Sequence, residues 1–97
     1  MPDSIIVGGG LIGMLTAHAL RRRGLSVGII ERGPFGREAS WAGGGILSPL
    51  YPWRDPAAVS DLAVAGAGLY PALVQELSEH TGIDVEWRRC GLLALDV

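Results

Sequence analysis

The chain opens with Ser4-Ile5-Ile6-Val7-Gly8-Gly9-Gly10-Leu11-Ile12-Gly13. The run before Gly8 is short, mostly apolar, rich in β-branched residues and halted by glycine, which is the pattern of a buried parallel strand. After the glycines, Leu11, Met14, Leu15, Ala17 and Leu20 recur at helical spacing, so a helix is expected over 11–23. Gly24 stands where a helix takes its left-handed C-terminal cap. Leu25-Ser26-Val27-Gly28-Ile29-Ile30 is a second apolar run, closed by the charged pair Glu31-Arg32. Strand, helix and strand in this span make one βαβ unit, a crossover between parallel strands that is nearly always right-handed.

Gly8, Gly10 and Gly13 fit G-x-G-x-x-G, and here the pattern directly follows a strand and opens a helix, as a dinucleotide-binding turn requires. Gly8 allows the tight turn, Gly10 lets a pyrophosphate approach the backbone, and Gly13 lets the helix pack closely on the strands. The N–H groups at the helix start, near Leu11 and Ile12, then face the phosphates, helped by the positive end of the helix dipole. Glu31 ends the second strand at about the 20-residue interval at which an acid accepts hydrogen bonds from a ribose. An acid there disfavours a phosphorylated ribose, hence NADP. The bland alternative is a glycine-rich turn followed by an ordinary charged strand end. The fingerprint itself serves NAD and FAD alike.

Residues 33–56 are rich in glycine and proline, a loop-rich connection with a short helix after Ser40. A long irregular stretch in a compact domain usually has a functional reason. Asp55 can cap a following helix and Pro56 suits its first position. Val59, Leu62, Ala63, Gly66, Leu69, Tyr70, Leu73, Val74 and Leu77 trace one apolar stripe, expected to face a core, and Gly82 ends the helix. Pro71 is expected to kink or split it. Residues 84–88 and 92–95 suggest two strands joined by a turn near Cys90-Gly91. The expected class is α/β: a Rossmann-like FAD/NAD(P)-binding βαβ unit (1–32), a contact loop (33–55), then a helical segment and the start of an antiparallel substrate-domain sheet (56–97). The chain ends inside an apolar strand, so we expect 1–97 to be the N-terminal part of a longer domain, with sheet edges left unpaired.

Hydrophobic residues make up 48% and charged residues 19%, with a formal net charge of -2, so nothing favours nucleic-acid binding. Arg21-Arg22-Arg23 is the only basic run. A nuclear signal is one reading; cations closing a helix at the negative end of its dipole is the simpler one. Cys90 is the single cysteine, which excludes an internal disulfide and fits a reducing compartment. A small apolar residue beside a strand is a simpler reading of it than a reactive thiol. Residues 1–10 lack the cationic start of a secretory signal, and no run of about 20 apolar residues is visible, so a cytoplasmic protein is expected. His18 and His80 lack partners at metal-ligand spacing and read as surface or packing residues. Trp41, Trp53 and Trp87 read as packing, although Trp41 adjoins a segment of interest, and Tyr51 is a weak candidate for substrate contact. No metal site and no catalytic residue is assigned. The oligomeric state is not legible.

Ala39-Ser40-Trp41-Ala42-Gly43-Gly44-Gly45-Ile46-Leu47-Ser48-Pro49 resembles the second FAD-contact segment of the D-amino-acid-oxidase-like flavoproteins, and within them most resembles the glycine oxidases of thiamine biosynthesis. The run Ser48 to Arg54, the later Gly82-Ile83-Asp84-Val85-Glu86, and Gly91-Leu92-Leu93 add to the likeness. The resemblance implies FAD as cofactor and a small amino acid or amine as substrate. It implies hydride transfer to the flavin, hydrolysis of the imine and reoxidation by oxygen to give hydrogen peroxide. It places Leu11 and Ile12 at the pyrophosphate, Glu31 and Arg32 beside the adenosine, Ala39 and Ser40 at the phosphates, and Gly44, Gly45 and Ile46 along the flavin side. The family's substrate-binding arginine and aromatic hydroxyl belong to later regions, so Arg54, Arg88 and Arg89 are not given that role, and these 97 residues alone are expected to be inactive. Alternatives are another amine oxidase branch such as sarcosine oxidase, a D-amino acid dehydrogenase, an NAD-linked dehydrogenase, or a dinucleotide-binding module without catalysis.

Overall fold

The computed structural model describes residues 1–47 and 51–95. Ser48, Pro49 and Leu50 of the family-like run, and the Asp96-Val97 end, lie outside the described residues. The chain divides into two units, residues 1–45 and 46–97.

In the first unit, β1 (Ser4–Val7) and β2 (Val27–Ile30) pair in parallel, with Ser4 opposite Val27 and Val7 opposite Ile30. Between them runs α1 (Leu11–Arg22), so the βαβ order expected from the hydrophobic pattern is present. Its C-terminal turn carries Arg21 and Arg22, and Gly24 follows in the left-handed region at φ 85°. The lower ends of the strands are pinned by Asp3. Its Oδ2 accepts from the Ser26 N–H at 2.8 Å and the Ser26 hydroxyl at 2.6 Å. These bonds lower the Asp3 pKa, the hydroxyl bond most. The core lies where α1 meets the sheet, with Ala17 buried. β1 is open on its other face, where Val7 is 84% exposed. The expectation of a buried strand therefore fails on that side: a parallel sheet needs helices on both faces, and α1 covers one.

After β2 the chain makes a loop and then α2 (Ala39–Ala42), the short helix expected near Ser40.

The second unit is built on α3 (Ala57–Thr81), which runs 25 residues. Pro56 holds the N-cap with extended ψ, and its carbonyl accepts from Val59 and Ser60. Asp55 therefore falls one place outside the helix and makes no capping bond, contrary to expectation. Pro71 lies inside the helix without splitting it. A helical proline lacks the N–H that would bond the carbonyl four residues back, here that of Ala67, and its ring crowds that position, where the neighbours Gly66 and Gly68 carry no side chain. Gly82 ends the helix at φ 69°. The apolar stripe does not face a core: no residue of α3 is buried, and Leu62 is 76% exposed. By length and composition α3 could also cross a membrane, a property the sequence reading did not find. The core helix of a soluble protein passes the same test.

The two strands expected over 84–88 and 92–95 are not formed among the described residues. Asp84 Oδ1 accepts from the Glu86 N–H at 2.8 Å, and Glu86 takes φ 56°. That side-chain turn breaks the extended backbone in the middle of the first expected strand. An isolated hairpin is also marginal in water. Cys90 is accordingly exposed and not packed beside a strand.

Candidate cofactor-binding site

Both strands of the first unit end at the same level, and the glycine turn leaves from that edge. The Gly8 N–H donates to the Ile30 carbonyl at 2.8 Å, one step beyond the ladder. The backbone then swings through φ 108° at Gly8, a conformation that side chains resist. Gly9 is buried; its N–H donates to Glu31 Oε2 at 2.7 Å, and its carbonyl accepts from the Gly36 N–H at 2.9 Å. Gly10 is the N-cap of α1, and its carbonyl accepts from the Met14 N–H at 3.0 Å. A Cβ built on Gly13 would overlap the Gly8 carbonyl oxygen and come to 3.4 Å from Ile6 Cγ2. Gly13 therefore has to be glycine for helix and strand to come this close.

Glu31 closes the arrangement from the end of β2. Its second oxygen accepts from the Gly33 N–H at 3.0 Å. The bond from Gly9 first, then that from Gly33, holds its carboxyl below the usual glutamate range. A carboxylate offers about four lone-pair sites, so two backbone donors leave room for sugar hydroxyls. A cavity of about 370 Å³ lies at this edge, lined by Val7, Gly8, Ile30, Glu31, Arg32 and Glu38. It occupies the crevice outside the carboxyl ends of the strands, where open parallel sheets take their ligands. Arg32 crosses it to Glu38 at 3.5 Å, with both side chains largely exposed.

Ser40 reaches the same place from α2: its Oγ accepts from the Leu11 N–H at 2.9 Å and lies 3.3 Å from the Cβ position of Gly10. A helix-start donor thus meets an oxygen where an anionic oxygen also suits it.

The family model described as FAD dependent oxidoreductase matches residues 3–97. The chain belongs to this family. FAD is the family's cofactor, and the turn, the carboxylate and the crevice at the strand ends are a donor and acceptor set that fits its adenosine diphosphate half. Among relatives, the glycine oxidase of Pseudomonas aeruginosa is 55% identical over 93 residues, which cover 96% of this chain and 26% of that protein. The glycine oxidase of Pseudomonas putida is 48% identical over the same coverage. The bifunctional protein ThiO/ThiG of Synechocystis is 33% identical over 94 residues, 95% of this chain and 14% of that protein. The chain thus spans about a quarter of the length of its glycine oxidase relatives. No solved structure matches it.

In this FAD-dependent oxidoreductase chain, Gly8, Gly10, Leu11, Gly13, Glu31, Arg32 and Ser40 gather at one edge of the sheet. Ile12 and Ala39 flank them, each beside a residue bonded there. Gly44 and Gly45 follow α2 with open space where a side chain would be, and Ile46 begins the second unit, 74% exposed. Gly9, Gly33, Phe35, Gly36 and Glu38 were missed by sequence reasoning. For Gly9 one signal existed: a glycine at a position where the fingerprint tolerates any residue.

Proposed function

We propose that this chain supplies the FAD-binding start of an oxidase of small amino acids or amines, similar to the glycine oxidases, that works in the cytoplasm in thiamine biosynthesis. The single observation that carries the dinucleotide part is the Glu31 carboxylate, fixed by the Gly9 and Gly33 N–H groups at the mouth of the strand-end crevice, and membership of the FAD-dependent family makes that dinucleotide FAD. The oxidase part is supported by the 55% and 48% identical glycine oxidases, and the thiamine setting by the ThiO/ThiG relatives.

Each residue has a role that follows from its chemistry. Glu31 accepts hydrogen bonds from the ribose hydroxyls, and Arg32 flanks the adenosine. Ile12 offers its backbone N–H to the diphosphate over Gly8, Gly10 and Gly13, and Leu11 does so by exchanging the Ser40 hydroxyl for a phosphate oxygen. The Ser40 hydroxyl, already at the helix start, contacts the same oxygens beside Ala39. Gly44, Gly45 and Ile46 lie along the flavin side, where a flat ring needs backbone close by. Held by these residues, FAD would supply the hydride acceptor for oxidation of the substrate's α-carbon, with oxygen as the final electron acceptor and hydrogen peroxide as its product.

The test is to purify the intact protein, not these 97 residues alone, record its visible spectrum, and offer glycine, sarcosine and D-alanine with peroxide detection. Flavin bands and peroxide from at least one of these amines are expected. A colourless folded protein that binds NAD instead would remove this reading. Flavin bands with no peroxide from any amine would point to the dehydrogenase branch.

A further inference from the structure

We propose that Phe35 is a positioning residue for the cofactor turn, acting through Gly9. This rests on the reading of the turn as the FAD diphosphate seat and adds to it a residue that no fingerprint contains. A Cβ placed on Gly9 would come to 2.5 Å from Phe35 Cδ1, 2.8 Å from Cε1 and 3.0 Å from Glu31 Cβ. The ring therefore sits directly on the Gly9 backbone, in space that only a glycine leaves free. The peptide groups of Gly9 are tied on both sides by the segment that carries the ring. Glu31, which begins that segment, accepts from the Gly9 N–H at 2.7 Å, and the Gly36 N–H donates to the Gly9 carbonyl at 2.9 Å. Gly36 itself, at φ 69°, rests against α1, its Cβ position 3.5 Å from Met14 Cε.

These contacts form a clasp. Residues 31–36 fold back over the glycine turn, and Phe35 presses Gly9 into register with the carboxylate that faces the ribose seat. The ring fixes the distance between the turn, which meets the diphosphate, and Glu31, which meets the sugar. Gly9 and Phe35 fill adjoining space, so a side chain at Gly9 requires the half-exposed Phe35 ring to move or to be smaller.

The test is a set of variants of the intact protein, read by titration of the apoprotein with FAD and by apoprotein melting. Gly9→Ala should weaken FAD binding roughly tenfold or more, and Gly9→Ala with Phe35→Ala should recover a measurable part of that loss. Phe35→Ala alone should melt near the parent yet bind FAD several-fold more weakly, and Phe35→Tyr should bind like the parent. Should Gly9→Ala fail to fold, the Phe35→Ala and Phe35→Tyr pair still decides. Parent-like affinity in Gly9→Ala or in Phe35→Ala, or a double variant no better than Gly9→Ala, overturns the clasp while leaving the FAD reading intact. A parent that takes up no FAD removes both.

Discussion

Glu31 joins three parts of the site through one carboxylate: the end of β2, the glycine turn and the loop that follows. Its lowered pKa comes chiefly from the Gly9 N–H, and this fixes how stability should vary with pH. The folded state holds the ionised form more tightly than the unfolded chain does. The contribution is thus complete above the ordinary glutamate pKa and fades as pH falls through the lowered one. Glu31→Gln should lower the urea midpoint at neutral pH and flatten its decline on the acid side. A variant whose acid limb parallels the parent's would show that these bonds do not couple to folding. Gly13 allows a sharper prediction, because the neighbour it would strike is backbone and cannot swing aside. Gly13→Ala should cost about 1–3 kcal/mol by overpacking, checked by denaturant unfolding, and should lower FAD affinity in parallel.

The helices and strands differ in how far their sequences specify them. β1, α1 and β2 were legible because a period-3.6 stripe lies between two short β-branched runs, and each signal is local. The fingerprint residues were legible for the same reason. Phe35 and Gly36 were not, since their role arises only when the loop returns to Gly9, and no periodic pattern marks such a return. Residues 84–88 look like a strand by composition, yet Asp84 offers the backbone a closer partner, the Glu86 N–H, and turns it. In α3 the apolar stripe gave the helix correctly, but a stripe cannot say what will cover it. Pro71 does not split α3, because a long helix outlasts one lost bond. Pro71→Ala should restore that bond and stabilise α3 by up to about 3 kcal/mol, seen as a rise in helical ellipticity and in melting temperature. A fall in both would show that the lost bond does not limit the stability of α3.

Taken whole, the described chain buries little. Ala17 is its buried apolar residue, while Ile5, Val7, Ile30, Leu62 and Leu69 stay exposed. Glycine oxidases that share 55% and 48% identity with it are about four times its length, and its match covers 26% of each. Its own residues bring together a glycine turn, a carboxylate bonded to it and a strand-end crevice. We propose that this arrangement recognises the adenosine diphosphate portion of FAD. The direct measurement is a titration of the apoprotein with FAD and with FMN, which carries the same flavin ring but no adenosine diphosphate. FAD should bind more tightly than FMN by well over about tenfold, and Glu31→Gln should narrow the gap. Equal affinity for the two flavins would contradict the account.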